Sequence, residues 1–190
     1  MGKIILGSSS PRRANLLKKL NIDFEVIPSC YVEEHDQTDF SYNFVENLAY
    51  NKALDVAKRL KKESKNLLVV GADTIVVLKN KILEKPIDYE DAFNMLKKLS
   101  GNTHFVVTAV CVINSATLEF KTKSETTYVT FENLTEEQIS DYIYQFKPYD
   151  KAGSYGIQEL PDGFVKEVKG ELDNVIGLPA KVMLELIDSF

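Results

Sequence analysis

Little in this chain of 190 residues serves covalent cross-linking, membrane insertion or charge-driven binding to a polymer. Its two cysteines, Cys30 and Cys111, stand far apart, with no CxxC pair and no Cys/His partners at ligand spacing. That excludes a disulfide framework and a zinc site, and both cysteines are expected to be buried, reduced thiols. No apolar run approaches the roughly 20 residues of a membrane span, and no basic-then-apolar leader opens the chain. Leu6 stands where a myristoylation signal after Met1-Gly2 needs Ser or Thr. A cytoplasmic location without a membrane partner is the expectation. Linkers, repeats and low-complexity tracts are lacking apart from the short polar patch at 61–66, so residues 1–190 are expected to form one domain. Positive charge is also in deficit, with a formal net charge of −5. An extended nucleic-acid footprint is excluded on that balance; any anion must be held by a local basic cluster, and a small ligand fits better than a polymer.

What is present begins with the opening run Lys3-Ile4-Ile5-Leu6, which breaks into Gly7-Ser8-Ser9-Ser10 and then Pro11-Arg12-Arg13. This reads as a strand, a tight turn and a helix start, because proline suits the first helical position and Ala14, Leu16, Leu17 and Leu20 follow at helical spacing. Two arginines in a first helical turn have the wrong sign for the helix dipole. Either they are solvated on a surface helix, or they join the free N–H groups and serine hydroxyls in a pocket for phosphate oxygens. Further on, a strand is expected at 23–28, an acidic loop at 33–36 and an amphipathic helix from Phe44 to Leu60. Leu67 to Leu78 forms an apolar strand region enclosing Gly71-Ala72-Asp73-Thr74, and a turn at 79–81 leads to a short strand ending at Lys85-Pro86. Asp88 caps a helix that Gly101 closes, and His104–Ile113 and Leu118–Phe131 read as paired antiparallel strands. Thr135 and Gln138 form a capping box for a helix through Phe146. A strand at 164–168 and a helix starting at Pro179 complete an α/β fold with a mixed sheet.

Several residues break these patterns. Asp73 puts a carboxylate between Val69-Val70 and Ile75-Val76-Val77, where it either turns the chain on its own backbone or has a charged partner or metal. Lys52 falls on the apolar stripe of its helix, where it snorkels to solvent or faces a cleft. The acidic pair Glu33-Glu34 is a solvated loop or, with Asp73, a hard-oxygen site for Mg²⁺ or Mn²⁺. Pro148 to Gln158 describes a close-packed loop leading into a strand, and the Gln158 amide offers a donor and an acceptor to a nucleobase edge.

Taken in order, these blocks resemble the Maf family: Ser8-Ser9-Ser10-Pro11-Arg12-Arg13, Glu33-Glu34, Lys52, Gly71-Ala72-Asp73-Thr74, Glu84-Lys85-Pro86, Leu99-Ser100-Gly101 with His104 and Thr108, Asp150-Lys151-Ala152-Gly153 with Tyr155-Gly156-Ile157-Gln158, and Gly177-Leu178-Pro179. The resemblance spans nearly the whole chain. It implies a two-lobed fold, like that of the inosine-triphosphate pyrophosphatase group, built on a mixed, twisted sheet with a central cleft. It also implies hydrolysis of a nucleoside triphosphate to monophosphate and diphosphate. The loop at 150–158 is similar to that of the branch acting on dTTP and UTP, and modified pyrimidine triphosphates fall within the same expectation.

Carried over singly, Asp73 matches the family's proton acceptor, and Arg12, Thr74 and Gln158 match positions tied to substrate choice. Ser8, Arg13, Lys52 and Lys85 match phosphate-facing positions, and Glu34 with Asp73 the carboxylates for a divalent cation, Mg²⁺ or Mn²⁺. Homodimers are common in the family, and a homodimer is an expectation here without an interface signature in the sequence. Glu159 departs from the glycine often found after the Ile-Gln pair, and the segment before Gly177 also varies. The alternative from another class is a nucleotide-binding regulator of cell division acting through protein contacts. A general base beside a metal site is more than a sensor needs.

Overall fold

The computed structural model describes residues 4–33, 37–62 and 66–190. Along the chain these form β1 (Ile4–Leu6), α1 (Pro11–Lys19), β2 (Phe24–Val26), α2 (Tyr42–Lys62), β3 (Leu68–Leu78), β4 (Lys81–Leu83), α3 (Tyr89–Leu99), β5 (Thr103–Asn114), β6 (Phe120–Phe131), α4 (Glu136–Phe146), β7 (Val165–Lys169), α5 (Leu172–Ile176) and α6 (Ala180–Asp188). A single 3-10 turn, Ala152–Ser154, follows α4. The expected α/β class and mixed sheet are present. The strands form one open seven-stranded sheet in the order β2-β1-β3-β5-β6-β7, with β4 on β3. β1 runs parallel to β2 and β3, and the remaining pairs are antiparallel.

The pairing of β3 opens the cleft. One edge is zipped to β5 over its length, from Leu68↔Asn114 to Val77↔Phe105. On the other edge β1 pairs only Leu68–Val70 and β4 only Val76–Leu78. Residues 71–75 are left without a strand partner on that side, among the described residues. β1 ends there, turns through Gly7–Ser10 and enters α1, so a helix N-terminus is aimed at the gap. A break of this kind in an α/β sheet is where ligand crevices form.

The period of two along β3 divides its side chains between layers. Val69 and Val77 face α2 with Val45, Ala49, Ala53 and Val56. Val70 and Ala72 pack with Leu16, Leu17, Val182 and Met183. Farther along that same face Val76 joins Leu83, Leu96, Leu99, Ile139 and Ile143. Thr74 lies between those two apolar clusters, opposite Thr108 on β5. α2 crosses β3 at Gly71, where an added Cβ would come within 2.6 Å of the Ala49 carbonyl oxygen and 2.7 Å of Ala53. Only glycine permits that approach.

Two local expectations are corrected, and one helix lies where none was read. Cys111 is buried, but Cys30 is exposed because it lies in the loop after β2 rather than in a packed element. The loop after Pro148 does not lead into a strand at Gln158; it makes the 3-10 turn and a second turn at 157–159, and β7 begins only at Val165. The segment before Gly177 is helical as α5, which is too short at five residues to show a 3.6-residue period. No described helix is long and apolar enough to cross a membrane.

Candidate active site

A cleft of about 520 Å³ occupies the gap in the sheet. Ser8, Arg12, Arg13, Lys52, Asp73, Thr74, Lys85 and Gln158 all line it, together with Glu33, Asp150, Lys151 and Glu159. The residues singled out in sequence therefore come from the β1–α1 turn, α2, β3, the end of β4 and the loop after α4 to one place. Glu34 lies outside the described residues, as do Lys3, His35 and Asp36, so the position of that carboxylate is not described.

Asp73 and Thr74 are consecutive on a strand and so point to opposite faces. Asp73, 7% exposed, turns toward α2. The close contact at Gly71 brings Lys52 over it, and the Lys52 ammonium donates to Asp73 Oδ1. The same ammonium lies 2.6 Å from Glu33 Oε1. Lys52 is thus neither a stray surface lysine nor a pure snorkel: it gathers two carboxylates at one point. No described residue hydrogen-bonds Asp73 Oδ2.

Thr74 turns the other way, toward Arg13. The Arg13 guanidinium donates from Nε to the Gly177 carbonyl at 2.7 Å, from Nη1 to Ser8 Oγ at 3.1 Å and from Nη2 to Thr74 Oγ1 at 3.0 Å. All three acceptors are neutral. Burial lowers the Arg13 pKa from its ordinary value, opposed by the charge of Asp73 across the cleft. Among the described residues no carboxylate forms an ion pair with Arg13. Its neighbour Arg12 differs, with Nη1 2.8 Å from Asp150 Oδ2. From Asp150 an alternating chain of charge continues to Lys151 at 2.8 Å and to Glu159 at 3.2 Å. Partial burial resists ionisation of Asp150, but hydrogen bonds from Lys151 and Arg12 outweigh it and bring the carboxyl down to about 2. Glu159, which departs from the family pattern, has a defined place as the second counter-ion of buried Lys151.

Ser10 caps α1, its Oγ 3.5 Å from the Arg13 N–H. Ser8 Oγ accepts from the Ser10 N–H at 3.2 Å as well as from Arg13. With both lone pairs taken, Ser8 presents its hydrogen to the cleft. Lys85 is exposed at the rim and Gln158 is exposed in its turn. Tyr155, just before Gln158, is held from beneath: its hydroxyl meets Nε2 of fully buried His104 at 2.7 Å. The next N–H, of Gly156, donates to Tyr142 OH at 3.1 Å. Burial drives the His104 pKa down to about 4, so the ring is neutral near pH 7.

The family model described as Maf-like protein matches residues 3–190. The chain belongs to the Maf family. Among its relatives, the Thermosipho africanus protein named dTTP/UTP pyrophosphatase is 46% identical over 189 residues, covering 97% of this chain and 92% of the relative. Proteins of the same name from Thermoanaerobacter sp. (strain X514) and Clostridium perfringens (strain ATCC 13124) are each 42% identical; they cover 97% and 99% of this chain, and 95% and 97% of their own lengths. Within this Maf site, sequence reasoning named Glu33 with Glu34 only as a candidate hard-oxygen pair and did not assign individual roles to Asp150, Lys151 or Asn174. Asn174 carried only a weak signal, a polar residue following Asp173 and preceding the apolar Val175-Ile176 just before Gly177. The ion pairs carried none, because each joins residues distant in sequence or an ordinary surface pair.

Proposed function

We propose that this Maf chain hydrolyses dTTP and UTP between the α and β phosphorus atoms, releasing the nucleoside monophosphate and diphosphate. The observation that carries the reading is Arg13, a largely enclosed cation that meets only neutral acceptors among the described residues. An enclosed charge calls for a partner of opposite sign. The cleft supplies donors for that partner in the Ser8 hydroxyl, the remaining Arg13 N–H groups and the exposed Lys85 ammonium. A polyphosphate matches them in charge and in length. Its negative charge grows on the phosphoryl oxygens as the bond breaks, and donors fixed in advance stabilise that state most.

Asp73 takes a proton from the attacking water through Oδ2, the oxygen that Lys52 leaves open. Lys52 orients Asp73 through its contact with Oδ1. Gln158 meets the base: uracil and thymine share an imide edge with both donor and acceptor, which one carboxamide complements. Modified pyrimidine triphosphates that keep this edge fall within the same reading. A divalent cation, Mg²⁺ or Mn²⁺, fits the donor set, since Asp73 and Glu33 already converge on the positive charge of Lys52 and offer the hard oxygens such ions take. When bound it would be held by Asp73 and Glu33, with Glu34 the family's further carboxylate, and would supply charge neutralisation and an acidified water. Among the described residues no cluster of three or more His, Cys, Asp or Glu is present, so the ion would rely on phosphate oxygens and water for further ligands.

The test is a panel of natural and modified nucleoside triphosphates assayed for diphosphate release with and without Mg²⁺ and Mn²⁺. Release from dTTP and UTP well above the purine nucleotides is expected. Release of orthophosphate, or of nothing, from both pyrimidine substrates would overturn the reading.

A further inference from the structure

The hydrogen bonds behind Arg13 have a direction that donor counting determines. Arg13 can only donate, so Thr74 Oγ1 accepts from it. Thr108 Oγ1 lies 2.8 Å from the Asn174 backbone carbonyl, which can only accept, so the single Thr108 hydroxyl hydrogen goes there. The 2.9 Å contact between Thr74 Oγ1 and Thr108 Oγ1 is then made with Thr74 as donor. The run Arg13 to Thr74 to Thr108 to Asn174 is thus polarised from end to end, and the Thr74 hydrogen is spent inward.

Asn174 fixes the far end. It is fully buried, its Oδ1 accepts the Thr108 N–H at 3.0 Å, and its Nδ2 donates at 3.0 Å to the Val106 carbonyl and at 3.0 Å to Thr127 Oγ1. An N–H on one side and a carbonyl on the other leave the amide a single orientation. The clamp also holds α5 against β5, and the C-cap of α5 is Gly177, whose carbonyl takes Arg13 Nε. Gly177 has φ 120°, a conformation that suits glycine, and an added Cβ would sit 3.3 Å from Thr74 Oγ1. Two of the three bonds that orient Arg13 therefore trace back to Asn174.

We propose that Thr108 and Asn174 are positioning residues for the reaction, fixing the Arg13 guanidinium through the Thr74 hydroxyl and the Gly177 carbonyl. The proposal rests on the pyrophosphatase reading above. Thr108 has no exposed surface and cannot touch substrate, so any effect it has on turnover is transmitted. With Nε and one hydrogen of each terminal nitrogen engaged, Arg13 keeps one N–H on Nη1 and one on Nη2 for phosphate oxygens, a fork suited to two-point contact. The same polarity confines Thr74 to accepting from a ligand; it has no hydrogen left for a phosphate.

The test is a double-substitution cycle in the full chain with dTTP, reading kcat/KM, kcat and thermal stability. Thr108→Val removes the hydroxyl at constant shape and is expected to lower kcat/KM about tenfold. Thr108→Ser recovers most of that loss. In an Arg13→Lys background, which removes the fork, Thr108→Val should cost less than about twofold more, because the two act as one unit. Unchanged activity in Thr108→Val overturns the proposal, as does the same tenfold loss in the Arg13→Lys background, the signature of a merely structural effect. If Thr108→Val does not fold, Thr74→Val breaks the same link and is judged by the same coupling. A wild-type chain that releases no diphosphate overturns the functional reading instead.

Discussion

Replacing Gly71 with alanine tests how the helix-to-strand contact builds the site. The new methyl would lie 2.6 Å from the Ala49 carbonyl oxygen and 2.7 Å from the Ala53 nitrogen and Cβ. These are backbone atoms and a Cβ, not the ends of flexible side chains, so α2 itself must move. Restoring ordinary contact needs a retreat of about 0.8 Å, and over-packing of this kind costs about 1–3 kcal/mol. For a chain of this size that corresponds to a fall in Tm of roughly 4–8 °C at the middle of the range. The catalytic cost is expected to be larger, because α2 carries Lys52, which orients Asp73. A misplacement near 1 Å can cost on the order of a hundredfold in rate. Thermal unfolding followed by circular dichroism gives the first quantity. Diphosphate release from dTTP, measured well below the variant's Tm, gives the second. A Gly71→Ala protein with unchanged Tm and unchanged kcat would refute the reasoning, since α2 would then have room that the structure denies it.

Three further outcomes are expected. Asp73→Asn should lower kcat by about 10²–10⁴-fold, the usual worth of a general base, with nucleotide affinity by calorimetry largely retained; near-normal turnover on dTTP and UTP would remove Asp73 from that role. His104 is held neutral when folded, with its pKa down at about 4 against 6.5 ordinarily, so the unfolded chain binds the extra proton between those values. Stability present above pH 6.5 is therefore lost progressively as pH falls toward 4, by about 3 kcal/mol for this residue. Denaturant titrations across that range should show a shallower pH slope in His104→Gln, and identical slopes would count against the assignment. Finally, stripping divalent cations with a chelator should stop diphosphate release, and Mg²⁺ or Mn²⁺ should restore it; full activity of the stripped protein would dismiss the proposed metal.

Much of the fold was legible because it is written in local patterns. The apolar run from Leu68 to Leu78, the stripe of Val45, Leu48, Ala49, Ala53 and Val56, and the Thr135–Gln138 capping box each report an element without reference to the rest of the chain. α5 was missed because five residues hold little more than one helical turn. Exposure of Cys30 was missed because burial of a loop residue depends on what packs over it, which no local pattern records. At the site, Asp73 and Lys52 stood out as charges at apolar positions, and their misfit was resolved by their pairing. Thr74, Thr108 and Thr127 are ordinary residues for strands. Nothing local marks them as polar links between two apolar clusters.

By itself, then, the sequence determined the α/β class, the membership implied by its ordered motifs, and the list of charged residues that an apolar frame would not tolerate without a purpose. Tertiary structure alone decided which of those charges meet. That β1 and β4 leave residues 71–75 unpaired, that Gly71 lets α2 bring Lys52 down onto Asp73, and that Asn174 reaches Arg13 through Thr108 and Thr74 are consequences of long-range register. The reason is physical. Hydrophobic periodicity fixes which face of an element is buried, but a hydrogen bond or ion pair is set by separations of a few ångströms, and those exist only once the elements are packed.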